Sequence, residues 1–464
     1  MLSVLFSSDR SSSGKSTVAL AFSKKLKQLG YNLNIYKTGP DFIDPFILSK
    51  ALNARVKNLD SFLMPGRSLK KWMFGPDTNK RNNKTAFIVE GAMGLYDGDS
   101  YYIARKFALP VVLVMDSRRI SSTMASLIYG IKNYRGSMNV CGVILNNISS
   151  QRHYDIISGE IKNNIRGVDV FGYIGKDDNI FSIKERHLGL MTPDPLRRDN
   201  EFENITGNIM KAVFKNVNLD MMIKRLEKES IEFNKIASGE KNEKARKPKI
   251  LKKIKIAVAY DRAFFFYYNF NLDALKNSGA EIVFFSPLSG SRLPEGIKGI
   301  YFGGGYPEVY ADGLSKNEKM RDEVYKFFKN NGIIYAECGG LMYLCKRLVS
   351  GGKAYDFTGV FPFTAAMDDA RLTLGYRRVK MTARTFLGEP GTCANGHEFH
   401  YSRIIENGKS INAKRAFKYE NPAAPGVFLP GGYTSLNAVG SYVHLSFFSN
   451  KQVAENIVRS ARNL

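Results

Sequence analysis

The chain has 464 residues, more than one hydrophobic core ordinarily serves, so two domains are expected. Hydrophobic residues make up 44% and charged residues 24%, an ordinary globular balance, and no apolar run approaches the roughly 18 residues that span a bilayer. The formal net charge of +25 admits nucleic-acid binding, but the basic residues are scattered and no zinc-finger or RNA-recognition signature accompanies them; a basic enzyme handling polyanionic small molecules, or a solvated lysine-rich surface, is the favoured reading.

Residues 1–6 are apolar with no basic region before them and no cleavage-type site after them, so they read as a first strand and not as a signal peptide. Further strands are expected at 33–36, 86–89, 111–115, 140–145 and 170–174, with amphipathic helices such as 17–29 and 120–134 between them. Short β-rich runs separated by helices imply an α/β fold with a doubly wound parallel sheet. Ser8-Asp-Arg-Ser11-Ser12-Ser13-Gly14-Lys15-Ser16-Thr17 links the first strand to the first helix. A Gly-Lys-Ser core in that place suits a phosphate loop: backbone N–H groups ring the phosphates, Lys15 neutralises charge and the Ser16 hydroxyl can ligate Mg²⁺. The pattern wants a Gly six residues before the Lys, and that position is Asp9. Asp41, Asp44, Asp60, Glu90 and Asp97 fall just past strand ends, where doubly wound sheets bind ligands. Turn aspartates often only cap strands, but several beside a phosphate loop favour a metal–nucleotide site.

Lys and Glu dominate residues 219–253, which read as a final helix and a solvated basic linker between a domain at 1–218 and a second at 254–464. Strands are expected there at 254–259, 282–285, 300–302 and 333–336. The last runs into Glu337-Cys338-Gly339-Gly340 and a helix at 341–348. A Cys on a tight strand-to-helix turn has the geometry of a nucleophile elbow, with the helix N-terminus favouring thiolate. A buried structural Cys is the ordinary alternative, and Cys345, expected inside the helix, reads that way. The four cysteines (141, 338, 345, 393) form no CxxC and no metal-ligand spacing, which suits a reducing cytoplasm. Gly303-Gly304-Gly305 closes the preceding strand, either as a plain turn or as oxyanion donors.

Long motifs run through both halves: Gly39-Pro-Asp-Phe-Ile-Asp-Pro45, Asn58-Leu-Asp-Ser61, Val89-Glu-Gly-Ala-Met-Gly-Leu-Tyr-Asp-Gly98, Glu185-Arg-His-Leu-Gly-Leu190, Gly303-Gly-Gly-Tyr-Pro-Glu308, Ala336-Glu-Cys-Gly-Gly-Leu-Met-Tyr343 and Gly396-His-Glu-Phe-His-Tyr-Ser402. On these residues the chain resembles the cobyrinate a,c-diamide synthases, from Leu2 to about Phe447. Nickel-sirohydrochlorin a,c-diamide synthases share much of the pattern. The resemblance implies an N-terminal synthetase domain similar to dethiobiotin synthetase and a C-terminal class I glutaminase. It implies ATP, Mg²⁺, glutamine and a cobyrinate-type tetrapyrrole as cofactors and partners, with a homodimer as one assembly. Nucleic acid and membrane are not expected partners. A partitioning or regulatory ATPase on the same phosphate-loop fold is the alternative of another class; it has no use for Cys338.

In that frame Cys338 attacks the glutamine amide and His444 serves as its base. Gly304, Gly305 and Gly339 supply oxyanion donors, worth roughly 3 kcal/mol each to a transition state. The backbone of Ser11, Ser12, Ser13, Gly14, Lys15, Ser16 and Thr17 binds the triphosphate. Ser16, Asp41 and Glu90 form the Mg²⁺ set, with Asp60 a further candidate, while Asp44 and Asp97 orient the acceptor carboxylate. Glu398, His400, Tyr401, Ser402, Arg377 and Arg378 are expected in hydrogen-bonding roles, and His397 with His400 lacks the partners of a metal pair. Three departures stand out. The family's loop typically has Gly at Ser8 and Ser12 and Thr at Asp9, so weaker ATP binding is expected. Its Arg before Asp261 is Tyr260. The Glu that full class I glutaminases place two residues after the His is Ser446, which leaves the group that orients His444 unassigned.

Overall fold

A computed structural model of the chain describes residues 1–75, 84–136, 138–176, 200–239, 253–368, 371–406, 413–421 and 424–464. Within these, the chain divides into two compact units: one of residues 1–61 and 66–239, the other of residues 62–65 and 253–464. The motif at 185–190 and most of the basic run after residue 239 lie outside the described residues.

The first unit is built on seven strands: β1 (Leu2–Ser7), β2 (Asn32–Thr38), β3 (Val56–Leu59), β4 (Thr85–Glu90), β5 (Val111–Asp116), β6 (Val140–Ile148) and β7 (Asp169–Gly175). They form one sheet in the order β3-β2-β4-β1-β5-β6-β7, parallel at every pairing. β1, β4 and β5 are buried along their whole length, which is why they read as unbroken apolar runs. Val4, Phe6, Ile88, Val114 and Ile144 form one core with Phe22 of helix α1 (Lys15–Gln28), each fully buried side chain contributing about 1.5–3 kcal/mol. Two helices, Leu219–Glu229 and Ile231–Ser238, occupy the first part of the stretch read as helix and linker. Leu219–Glu229 sends Met222 and Leu226 into that core, and Phe233 of Ile231–Ser238 packs on Phe74 and Phe87 at 5.5 and 5.0 Å. The first unit therefore extends past residue 218. Register matters for function: β2 and β1 flank β4, with Lys37 and Phe6 each opposite Glu90, so three strand ends meet at the phosphate loop.

The second unit holds β8 (Ile254–Ala259), β9 (Phe264–Phe266), β10 (Ala280–Phe285), β11 (Ile297–Phe302), β12 (Gly304–Gly305), β13 (Ile333–Glu337), β14 (Cys345–Ser350), β15 (Lys353–Asp356), β16 (Phe361–Ala366), β17 (Thr373–Met381), β18 (Cys393–His400), β19 (Arg403–Ile405), β20 (Lys414–Glu420), β21 (Phe428–Ser435), β22 (Ala438–Ser441) and β23 (His444–Leu445). Its main sheet runs β10-β8-β11-β13-β22-β21-β20-β17-β18-β23, parallel from β10 to β22 and antiparallel beyond. The sheet curls. Glu337 at the end of β13 is in register with Ser441 of β22, and three residues later the chain pairs with β18 instead. The helix expected at 341–348 spans only Gly339–Leu344, and Cys345 opens β14, which pairs with β15 and β16. Sheet pairing takes over the residues read as the second half of a helix.

Candidate active site

Cys338 sits between β13 and the helix Gly339–Leu344 with φ 51° and ψ −108°. A non-glycine residue at that backbone geometry carries roughly 1–3 kcal/mol of strain. The turn is held in place because the Cys338 N–H donates to the Ser441 carbonyl at 2.7 Å and the Cys338 carbonyl accepts from Met342 N–H at 3.1 Å. The sulfur approaches the Phe399 carbonyl at 3.8 Å. Cys345 is fully buried, donates to the Leu341 carbonyl, and burial pushes its thiol well up. Of the two, only Cys338 is on a strained turn with an ionisable partner.

That partner is His444. It is buried on β23 and stacks on His397 of β18 at 5.1 Å. A side chain at Gly396 would run into the His444 carbonyl, so the glycine lets the two strands close on the imidazole. Burial opposes an imidazolium there. The nearby Cys338 sulfur and Glu337 carboxylate outweigh it, and His444 is raised to about 9. Glu337 was missed in the sequence. Its Oε2 lies 3.4 Å from His444 Nδ1. The same carboxylate accepts from the Tyr301 hydroxyl at 2.7 Å, the Tyr335 hydroxyl at 2.6 Å and the Leu445 N–H at 3.0 Å. Ser446 does not turn to the imidazole; its hydroxyl donates to the Leu63 carbonyl at 2.5 Å.

The glycines close the other side. A Cβ on Gly304 would lie 2.6 Å from His444 Cε1, and one on Gly339 would lie 2.8 Å from Pro307 Cδ and 3.2 Å from Gly305 N. β12 pairs with β9, which fixes Gly304 and Gly305 against the nucleophile turn. Gly304, Gly305, Gly339, Cys338 and His444 thus come together.

The remaining expected residues of this unit have settled partners. Arg377 is buried and pairs with Glu398 at 3.1 Å, while Arg378 is exposed. His397 Nδ1 bonds the Tyr268 hydroxyl at 2.8 Å, and His400 stacks on Tyr442 at 3.7 Å with Nδ1 at 2.8 Å from the Ser402 carbonyl. Ser402 meets the Tyr442 hydroxyl at 2.8 Å, and Tyr401 is exposed. Tyr260 packs on Phe284 and Tyr267, and Asp261 accepts from Ala263 and Phe264 N–H, so this loop is closed by its own contacts. Leu341, Glu398, Ser402, Arg403, Arg415 and Tyr442 line part of a cavity of about 480 Å³ beside the nucleophile turn.

In the first unit, Gly14 starts α1 at φ 101°, and a side chain there would collide with Asn146. Ser12 is also left-handed, at φ 57°. Ser11 and Ser12 are exposed, Ser13 is buried and donates to the Arg10 carbonyl at 3.2 Å, and Thr17 is half-buried on α1. Lys15 is buried. Its ammonium donates to the Ser8 hydroxyl at 2.8 Å and to the Arg10 carbonyl at 2.8 Å. Burial, then the charge of Lys37, lowers it to about 8. Asp9 pairs with Arg10 at 2.7 Å, so the loop neutralises its extra carboxylate.

Lys37, which the sequence reading left out, lies between Asp44 at 2.5 Å, Glu90 at 2.7 Å and Asp41 at 3.7 Å. Burial opposes its charge, but the three carboxylates raise it. Burial and Asp44 raise Asp41 to about 7, while Lys37 overcomes burial to lower Asp44. Ser16 Oγ donates to Glu90 Oε1 at 2.6 Å, and Glu90 Oε2 is buried with no hydrogen-bond partner among the described residues. An unsatisfied buried carboxylate oxygen beside a hydroxyl and Asp41 fits a hard cation that keeps waters and phosphate in its shell, as Mg²⁺ does. No group of three His, Cys, Asp or Glu forms a cage among the described residues. Asp60 is fully buried. Asp97 is exposed and turns toward Gly94 of its own loop; it does not join the Lys37 cluster. Asp99 nearby accepts from Ser61 N–H and hydroxyl at 2.6 and 2.7 Å.

Comparison with known proteins bears on both units. Residues 4–190 match the CobQ/CobB/MinD/ParA nucleotide binding domain, and residues 255–452 match the CobB/CobQ-like glutamine amidotransferase domain. The chain is 36% identical to "Cobyrinate a,c-diamide synthase" of Saccharolobus solfataricus over 98% of this chain and 99% of that one. It is 35% identical to the Thermoplasma volcanium protein of the same name, over 98% and 96%, and 33% identical to that of Picrophilus torridus, over 100% and 99%. The chain belongs to the cobyrinate a,c-diamide synthase family. A solved "glutamine amidotransferase" covers 45% of this chain and 98% of its own at 15% identity and a TM-score of 0.32, a likeness that carries no argument.

As a member of the cobyrinate a,c-diamide synthase family, the chain is a glutamine-dependent amidotransferase with a nucleotide-binding domain. Cys338 and His444 lie inside the second matched domain, and residues 8–17 inside the first. No helix among the described residues is long and apolar enough to cross a membrane.

Proposed function

We propose that the protein amidates the a and c acetate side chains of cobyrinate, using glutamine as nitrogen donor and ATP to activate each carboxylate. The observation that carries the reading is the pairing of Cys338, on a strained turn, with a buried His444 raised to about 9. Such a pair suits a sulfur nucleophile whose proton rests on the imidazole. The thiolate attacks the glutamine side-chain amide, the proton on His444 goes to the leaving ammonia, and water then releases glutamate from the thioester. Gly305 and Gly339 N–H groups are the candidate donors to the oxyanion. The charged cavity bounded by Arg403, Arg415 and Glu398 suits the zwitterionic end of glutamine.

In the synthetase unit the substrate carboxylate attacks the γ-phosphorus of ATP and ADP leaves. Ammonia then attacks the acyl phosphate, which releases phosphate and yields the amide. Lys15 and the loop backbone bind the phosphates, and Lys37 neutralises charge as it builds at the strand ends. Ser16, Asp41 and Glu90 would hold Mg²⁺, which when bound screens the phosphate charges.

The test is an amidation assay of the purified protein on cobyrinate and on nickel-sirohydrochlorin with ATP and glutamine. Conversion of cobyrinate to the a,c-diamide in preference to the nickel compound supports the reading. Amidation of the nickel compound alone would replace the macrocycle, and amidation of neither would remove the function.

A further inference from the structure

We infer that Glu337 is the positioning residue of the glutaminase site: its carboxylate holds His444 in the Nδ1–H form, which leaves Nε2 for the Cys338 sulfur. The inference deepens the glutaminase reading and rests on it. In this chain the position two residues after the histidine is Ser446, and the Ser446 hydroxyl is engaged with the Leu63 carbonyl. The carboxylate comes instead from the residue before the nucleophile, at the end of β13.

Three features single Glu337 out. Its carboxylate is within ion-pair reach: Oε2 lies 3.4 Å from the buried His444 Nδ1, longer than a formed hydrogen bond, so a small ring movement would close it. Its orientation is fixed, because Tyr301 of β11, Tyr335 of β13 and the Leu445 N–H of β23 all donate to it. It is also the anion available to this imidazole. From β18, His397 faces the ring as a neutral group, held below the ordinary histidine value by burial and by His444, and its Nδ1 is engaged by Tyr268. Glu398 of β18 is paired with Arg377 of β17. His400 is lowered to about 4 by burial. What remains facing His444 is Glu337 and the Cys338 sulfur, the two neighbours that raise it. When Cys338 gives its proton to Nε2, the adjacent Glu337 carboxylate stabilises the imidazolium.

A purely structural account also exists, since Glu337 ties β11, β13 and β23 together. The two accounts part on the state of the imidazole. In full-length Cys338→Ala protein labelled with ¹⁵N-histidine, followed to a pH where His444 is neutral, the remaining proton should sit on Nδ1; a neutral ring with its proton on Nε2 overturns the inference. In the wild type, the alkaline limb of glutamine hydrolysis should lie near 9. Glu337→Gln should move that limb down by at least one pH unit and lower the hydrolysis rate by about 10²–10⁴-fold, with partial rescue by Glu337→Asp. A folded Glu337→Gln protein with the wild-type limb and rate also overturns it. If that variant does not fold, the nitrogen spectrum of Cys338→Ala decides alone. Cys338→Ser is run in parallel. Retained glutamine hydrolysis there sinks the glutaminase reading itself, whereas its loss beside an unaffected Glu337→Gln sinks only the inference.

Discussion

Gly304 lies so close to His444 that an added Cβ would sit 2.6 Å from the ring's Cε1 and 3.2 Å from its Nε2. The glycine therefore sets the seat of the imidazole as well as leaving room for an oxyanion. Gly304→Ala should push the ring off the Cys338 sulfur. A misplacement of about 1 Å can cost about 10²-fold, so glutamine-driven turnover should fall by about that factor. Comparing glutamine with ammonium as nitrogen source checks this, because the ammonium reaction should change far less. Equal losses with both would place the effect elsewhere.

The phosphate loop makes its own prediction. The Ser8 hydroxyl and the Arg10 carbonyl hold the Lys15 ammonium, so binding a phosphate must first break those bonds. Ser8→Gly removes one of them, worth about 1 kcal/mol, and should tighten ATP binding about fivefold by calorimetry. Unchanged or weaker binding would show that Ser8 helps to orient Lys15. Lys15→Ala should abolish amidation with either nitrogen source.

Stability of the second unit should depend on pH with two arms. His444 has a folded value of about 9, above the ordinary 6.5. A raised folded value means its stabilisation is complete below about 6.5 and is lost as pH rises through 9, on the order of 3 kcal/mol over the full arm. His400, lowered to about 4, and His397, also lowered, act with the opposite sign. Their contribution is present above about 6.5 and is lost as pH falls toward 4. Urea melts between pH 4 and 10 should show a maximum near neutrality. His444→Gln should flatten the alkaline arm, and His400→Asn the acid one.

The nucleophile turn holds strain that a substitution can release. Cys338 adopts φ 51°, ψ −108°, a region that glycine enters without penalty. Cys338→Gly should therefore be more stable than Cys338→Ala by about 1 kcal/mol, after the entropy cost of glycine in the unfolded chain. Thermal unfolding of the two variants side by side reads this directly; equal stability would mean that the turn is not strained.

How much of this the sequence carries depends on how each residue is buried. β1, β4, β5 and β13 are buried end to end and announce themselves as apolar runs. β17 alternates between exposed and buried positions, with Leu374, Tyr376, Arg378 and Lys380 on its open face, so it offers no unbroken apolar run. The helix Gly339–Leu344 is buried on all sides, so it has no polar stripe to mark its end. That Cys338 and His444 come close was legible because a candidate nucleophile needs a base and the chain offers few histidines. Glu337 was not, since the carboxylate precedes the cysteine instead of following the histidine; the available signal was a carboxylate in an apolar strand with Tyr335 on the same face. Lys37 was passed over for a similar reason: its role comes from Asp44 and Glu90, which are remote in sequence from one another and meet only at the strand ends.

The central claim is that Cys338 releases ammonia which the nucleotide-binding unit then consumes. The most direct measurement is the rate of corrinoid amidation by Cys338→Ser protein with ATP and either glutamine or ammonium. The account predicts that the glutamine reaction is lost and the ammonium reaction retained. Amidation that persists with glutamine would contradict it.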